Sequence, residues 1–422
     1  MAAIPTDDVR DPSSTWRLHW AWIILLVCFV NLFLNYGIRL GFGVLLPEMI
    51  RSLDLNRVQG GSIYNAYILV YICLTPLTGN LTDRFGARRV ITLFGILLGI
   101  GTLFLGTTDR LGTACLAFGL AGAGGSAMWT PLITAVQRWF APSRRGMALG
   151  IVATGYGLGF AVMGWLLPVL VEAYSWRFCW FVLGTAVLIM VVINGVFLRS
   201  SPESLHVAPW GEKGGTSPKQ NLDPVVQDGR YGEILRMTRF WTIGASFFFV
   251  SISLYTVTTF MVDYANVQLG FTFKEASFLA TIHGLGQVVG VLTIPMVSDR
   301  IGRRRTLIGS NLFIALSILG IILAGRDLVG LYVTIAVLAI FYGVTWPLYG
   351  ACAGDYFRKE VMGTVIGAWT PFYGLGAISG HFIAGRIRDV TQSFEPAFYL
   401  SMILALVASY FMLRVRVPAG GD

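Results

Sequence analysis

Charge is scarce in this chain, and acidic charge is absent where it would matter most to an apolar segment. Of 422 residues, 13% are Asp, Glu, Lys or Arg and 55% are hydrophobic. That balance excludes an ordinary soluble protein and points to one that crosses a membrane many times. No Asp or Glu lies in the middle of any long apolar run. The chain also lacks a phosphate-cradling P-loop, a zinc-ligand spacing and a Ser-His-Asp set, which argues against ATP-driven transport and against hydrolysis within the membrane. Neither an enzyme nor a cofactor is expected. The five cysteines, Cys28, Cys73, Cys115, Cys179 and Cys352, all fall inside apolar segments without metal-ligand spacing and read as small core residues. A polar start with Asp7, Asp8 and Asp11 precedes an apolar segment too long for a signal-peptide core, so no cleaved signal is expected.

Glycine, by contrast, is abundant at 50 residues, as expected where helices pack closely in lipid. Twelve runs of about 20 apolar residues read as transmembrane helices, among them 19–46, 112–136 and 362–386. The long polar interval at 199–238 divides them into six-helix bundles at 19–198 and 239–415, with tails at 1–18 and 416–422. Placing both termini in the cytoplasm puts 22 of the 31 Lys and Arg inside and eight outside, with Arg39 inside the first span. The net charge of +9 is spread over these loops rather than gathered in one patch, so no nucleic-acid partner is expected.

One basic turn organises the chain. Gly79-Asn80-Leu81-Thr82-Asp83-Arg84-Phe85-Gly86-Ala87-Arg88-Arg89 recurs 216 residues later in weaker form, with Asp299, Arg300, Gly302, Arg304 and Arg305 at the matching places. Its glycine is read as letting two helices approach, its Asp as a helix cap or a partner for a basic group, and its arginines as a cytoplasmic anchor. Other positions repeat as well: Tyr156-Gly157-Leu158-Gly159 returns as Tyr373-Gly374-Leu375-Gly376, and Pro131-Leu132 as Pro347-Leu348. A six-helix unit used twice is the internal symmetry of transporters that hold their substrate near the bilayer midplane between the halves.

These features resemble the major facilitator superfamily, whose loops between helices 2 and 3 and between helices 8 and 9 carry such a turn. The stretches Arg144 to Gly150, Tyr156 to Gly159, Trp176-Arg177 and Gly385 to Asp389 resemble its monocarboxylate and oxalate/formate branch, while Asn35-Tyr36-Gly37-Ile38-Arg39 resembles its anion:cation symporters. The resemblance implies an all-α fold of twelve spans in two pseudo-symmetric halves. It also implies alternating access, in which Gly79, Asp83, Arg84, Gly86 and Arg88, with Asp299 and Arg300, act as the conformational switch.

Arg39 stands out among the residues that can carry chemistry. A charge within a span costs about 2.5–3.5 kcal/mol on insertion scales, so it faces a protein interior or an aqueous cavity. Asn31, Asn35 and Arg39 follow an i, i+4, i+8 spacing and are expected to line that cavity as a polar stripe. With no central carboxylate to neutralise it, the guanidinium is expected to bind an anionic substrate through two parallel hydrogen bonds. The alternative is a structural role, by reaching the outer headgroups or pairing with Asp263. His283 lies near the middle of the eighth span, at the repeat position of Tyr67, and is read either as a proton carrier or as a neutral residue bonded to a neighbouring helix. Further expected substrate contacts are Tyr67, Tyr71, Trp129, Tyr255, Thr259, His283 itself, Gln287, Tyr342, Trp346 and Tyr373, each offering a hydrogen bond or an apolar face.

The leading expectation is therefore a monomeric carrier in the bilayer of a bacterial inner membrane, moving a small monocarboxylate or related organic anion together with a proton. A drug exporter of the same superfamily and a non-transporting sensor are the alternatives.

Overall fold

The computed structural model describes residues 19–212, 234–357 and 362–415. The expected tails at 1–18 and 416–422, and 213–233 of the expected linker, lie outside the described residues. The first half contains α1 (Trp20–Ser52), α2 (Arg57–Phe85), α3 (Ala87–Leu105), α4 (Leu111–Gly125), α5 (Thr130–Trp139), α6 (Pro142–Ala173) and α7 (Trp176–Phe197). The second contains α8 (Thr238–Asp263), α9 (Phe273–Ile301), α10 (Arg303–Ala324), α11 (Leu328–Tyr356), α12 (Met362–Thr391) and α13 (Glu395–Arg414). No strand occurs among the described residues beyond a single bridge from Phe140 to Trp210.

Twelve spans result because α4 and α5 together form the fourth. The expected single helix over 112–136 is broken between Gly125 and Thr130. Pro131 lies in the first turn of α5, where its missing N–H leaves no intrahelical bond unmade. Its repeat partner Pro347 sits inside an unbroken α11. Eleven of the spans are apolar enough to cross a membrane by composition alone. The other, α12, is 30 residues long but is diluted by Gly, Pro, Tyr, Trp and His381.

The two halves share capping chemistry as well as length. Asn56 accepts from the Gln59 N–H while Gln59 reaches back to the Asn56 N–H, starting α2. Thr272 and Glu275 do the same for α9, each 216 residues further on. At the basic turns the glycines have a different task from the one expected. Gly86 and Gly302 take φ of 83° and 89°, where a side chain is strained, and so end one helix and begin the next without a loop. Arg88 and Arg304, another pair at that spacing, bond the last carbonyls of helices beside them. Arg88 donates to Gly195 O, and Arg304 donates to Leu413 O at 2.6 Å and Met412 O at 3.2 Å. Cations at helix C-termini satisfy carbonyls that have no intrahelical partner and oppose the dipole.

The halves meet through α6 against α9 and α2 against α12, with α1 against α8. Contact is intimate at the end of the molecule away from the basic turns. A β-carbon built on Gly284 would lie 2.3 Å from the Ala161 nitrogen, so α6 and α9 touch backbone to backbone. Toward the basic turns the halves part. β-carbons on Gly79, Gly146 and Gly350 would meet nothing within 4 Å. The molecule is thus closed at one end and open at the end bearing the basic turns.

Candidate functional site

Between the halves lies a cavity of about 780 Å³, counting its open mouth, within the range of small-molecule sites. Arg39 on α1 is the one charged residue among those described that line it. It is 6% exposed. Its Nη2 donates to the Tyr255 hydroxyl at 2.6 Å, while its Nε has no hydrogen-bond partner. Around the guanidinium stand aromatic faces: the Tyr71 centroid at 5.0 Å, Tyr36 at 5.7 Å, Tyr67 at 5.9 Å and Tyr255 at 6.0 Å. Such faces attract a cation but neutralise none of its charge.

The walls are aromatic and arranged by the internal repeat. Tyr255 is 216 residues from Arg39, so the first helices of the two halves meet through this hydrogen bond. Tyr156 and Tyr373 face the cavity from equivalent places, and Trp129 and Trp346 line it from the fourth span and from α11. Tyr36 packs edge-on to Tyr156 with centroids 4.3 Å apart, and Trp346 to Tyr373 at 5.3 Å. Tyr342 and Tyr71 complete the ring of hydroxyl-bearing walls.

Of the expected contacts, Arg39, Tyr71, Trp129, Tyr255, Tyr342, Trp346 and Tyr373 line the cavity. Others are placed behind it. Asn31 does not share a face with Arg39: its side chain and that of Asn194 on α7 exchange hydrogen bonds at 2.8 and 2.9 Å. Residues four apart on a helix drift by about 40°, so eight residues turn Asn31 toward a different neighbour. Asn35 accepts from the Tyr67 hydroxyl at 3.2 Å, and both are buried beneath the cavity lining. Thr259 bonds His381 Nε2 at 2.8 Å. His283 is buried, with Nδ1 2.9 Å from Gln287 Nε2 and Nε2 3.3 Å from Thr258 Oγ1. Its ring lies edge-on to Tyr342 at 4.9 Å, one layer behind the wall.

The alternative pairing of Arg39 with Asp263 is not made, because Asp263 is bound to Arg57 at 3.0 Å. Tyr36, Tyr156 and Thr370 line the cavity without having been picked out as contacts. Symmetry was the available signal for Tyr156, whose repeat partner Tyr373 was recognised. In the switch, Asp83 and Arg84 are exposed near the open end, and Asp83 has no bonding partner among the described residues. Asp299 pairs with Arg303 at 2.5 Å, and Arg303 also reaches Asp355 at 3.2 Å; Arg300 is exposed. Neither Asp caps a helix start, since each lies in the last turn of the preceding helix.

The model of the Major Facilitator Superfamily matches residues 28–278 and 246–421. The chain belongs to that superfamily. A hexuronate transporter of Bacillus subtilis is 25% identical, covering 94% of this chain and 95% of the relative. Monocarboxylate transporter 13 of Rattus norvegicus is also 25% identical, over 94% of this chain and 89% of that one. A probable sulfoacetate transporter of Cupriavidus necator is 23% identical, over 95% of each. Among solved structures, the nucleoside transporter NupG superimposes with a TM-score of 0.74 at 13% identity, covering 92% of this chain and 99% of that one. A bacterial homologue of the human lysosomal transporter Spinster, inward-facing and unoccupied, gives 0.68 at 15% identity, covering 93% and 95%. The fold is therefore the twelve-span superfamily fold, and the chain is an integral membrane transporter rather than an enzyme.

Proposed function

We propose that this superfamily member carries a small monocarboxylate or a closely related organic anion, bound by Arg39. The observation that supports this reading best is a buried guanidinium in the cavity between the halves, with no acidic side chain among the described residues that line it and an Nε–H left without a partner. Burying an uncompensated charge is costly, and an anion that supplies the missing acceptors offsets that cost. Three relatives named for hexuronate, monocarboxylate and sulfoacetate agree with an anionic substrate. A single cation favours a monoanion over a dianion.

Transport follows alternating access, with the basic turns and both termini in the cytoplasm of a bacterial inner membrane, so the open end faces inward. Carrying the anion with a proton keeps the cycle electroneutral, whereas inward movement of the anion alone works against an inside-negative potential by about 2.3 kcal/mol per 100 mV. His283, in contact with Tyr342 of the cavity wall, is the proposed proton carrier, and Asp83 with its turn is the proposed inner switch. Uptake of labelled C1–C6 carboxylates by the purified monomer in liposomes, with and without an imposed pH gradient, tests the reading. Uptake of one carboxylate that collapses when Arg39 is replaced by Gln supports it. Export of lipophilic cations without carboxylate uptake would replace it with the exporter alternative.

A further inference from the structure

At the closed end, three charged residues join the two halves in a way that the substrate site does not use. The first turn of α2 presents the backbone N–H groups of Arg57 and Val58 to the carboxylate of Asp389, near the end of α12, each at 3.0 Å. The partners belong to different halves and lie more than 330 residues apart in sequence. An anion at this place satisfies donors that have no intrahelical acceptor and faces the positive end of the α2 dipole. Arg57 then extends its side chain to Asp263, the last residue of α8, with Nε to Oδ2 at 3.0 Å and Nη2 to Oδ1 at 3.3 Å. Asp263 is 0% exposed, so its charge depends on this fork from the opposite half.

The contact requires closure. A β-carbon on Gly385, one turn before Asp389, would lie 2.8 Å from the Val58 nitrogen, so the two helices touch backbone to backbone. The equivalent interface on the other side of the molecule makes no ion pair among the described residues. There Phe273 and Lys274 occupy the places of Arg57 and Val58, and α6 meets α9 through Gly157, Gly284 and a bond from Thr281 Oγ1 to Ala161 O at 2.9 Å. Meanwhile Asp83 at the open end has no partner among the described residues.

We propose that Arg57, Asp263 and Asp389 form a latch that holds the end of the cavity away from the basic turns shut, and that undoing it is a required step when the carrier reopens at that end. These are positioning residues: they touch no substrate and act by setting which end is open. The proposal rests on the alternating-access reading, and its test does not depend on which solute is carried.

Two cysteine probes report the two ends in detergent. Asn65, on the face of α2 turned toward α12 with its Oδ1 2.6 Å from His381 Nδ1, becomes freely accessible only when the closed end opens, and Gly350 lies in the open cleft. Thiol-labelling rates are measured for Asn65→Cys and Gly350→Cys, each corrected for labelling of the native cysteines. In the parent, Gly350→Cys should label fast and Asn65→Cys slowly. Asp389→Asn, or independently Asp263→Asn, should raise the Asn65→Cys rate at least fivefold and lower the Gly350→Cys rate. Asp389→Glu, which keeps the charge, should return both most of the way. A rise at both positions is general loosening and overturns the proposal, as does no change at either. A carrier that labels in this reciprocal manner but takes up no carboxylate would leave the latch standing and remove the anion reading instead.

Discussion

Replacing Arg39 by Gln and, separately, by Lys isolates what the guanidinium contributes. In the structure Nη2 donates to Tyr255 at 2.6 Å and Nε–H is buried without a partner, so an entering carboxylate that displaces the tyrosines packed around the guanidinium can take two parallel bonds from the planar fork. Hydrogen bonds to a charged group contribute about 1.5–3 kcal/mol each. At about 1.4 kcal/mol per decade, losing one of them weakens binding by roughly ten- to a hundredfold. Arg39→Gln removes both charge and fork and should reach the upper part of that range or exceed it. Arg39→Lys keeps the charge and loses the fork, so it should fall between Gln and the parent. Calorimetric titration of the purified carrier with the best carboxylate measures this directly. Folding is read separately. Without substrate, the Gln variant should melt no lower than the parent, because a buried cation with no counter-anion has been removed. The substrate-induced rise in melting temperature should shrink together with affinity, since that rise follows the ratio of ligand concentration to Kd. A Gln variant that binds the carboxylate as tightly as the parent would refute the reasoning, and an apolar neutral ligand should bind both alike.

Three further outcomes are expected. Asp83→Asn should slow net transport in liposomes while changing substrate affinity by no more than a few-fold, and an unchanged rate would reduce the turn to a topology signal. His283→Gln should abolish accumulation driven by a pH gradient yet retain counterflow exchange, and undiminished gradient-driven uptake would remove His283 from the coupling. Asn31→Ala strands the Asn194 amide in a buried position, so it should cost about 1–3 kcal/mol of stability, read as a lower melting temperature, with substrate affinity unchanged.

How much of this was legible beforehand depends on the range of the interaction concerned. Apolar runs long enough to span a bilayer, a polar break between two sixes and a turn repeated at 216 residues are local or periodic features, and together they determined the twelve-span, two-half fold. They also singled out Arg39, because a charge in an apolar run is conspicuous whatever surrounds it. The second copy of the α2 capping box was present but disguised, since Asn-Gln and Thr-Glu perform the same bonding with different letters. Tertiary structure alone decided the rest. Helical periodicity gives a residue's spacing along one helix but not the rotation of that helix against its neighbours. Thus Asn31 turned to Asn194 instead of the cavity, and Tyr36 entered the wall while Tyr67 backed it. The partner of Asp263 was decided in the same way. Arg57 lies 206 residues away and reaches it only because the halves are closed at that end, and which end is closed depends on how the two bundles pack, a property carried by no single stretch of the chain.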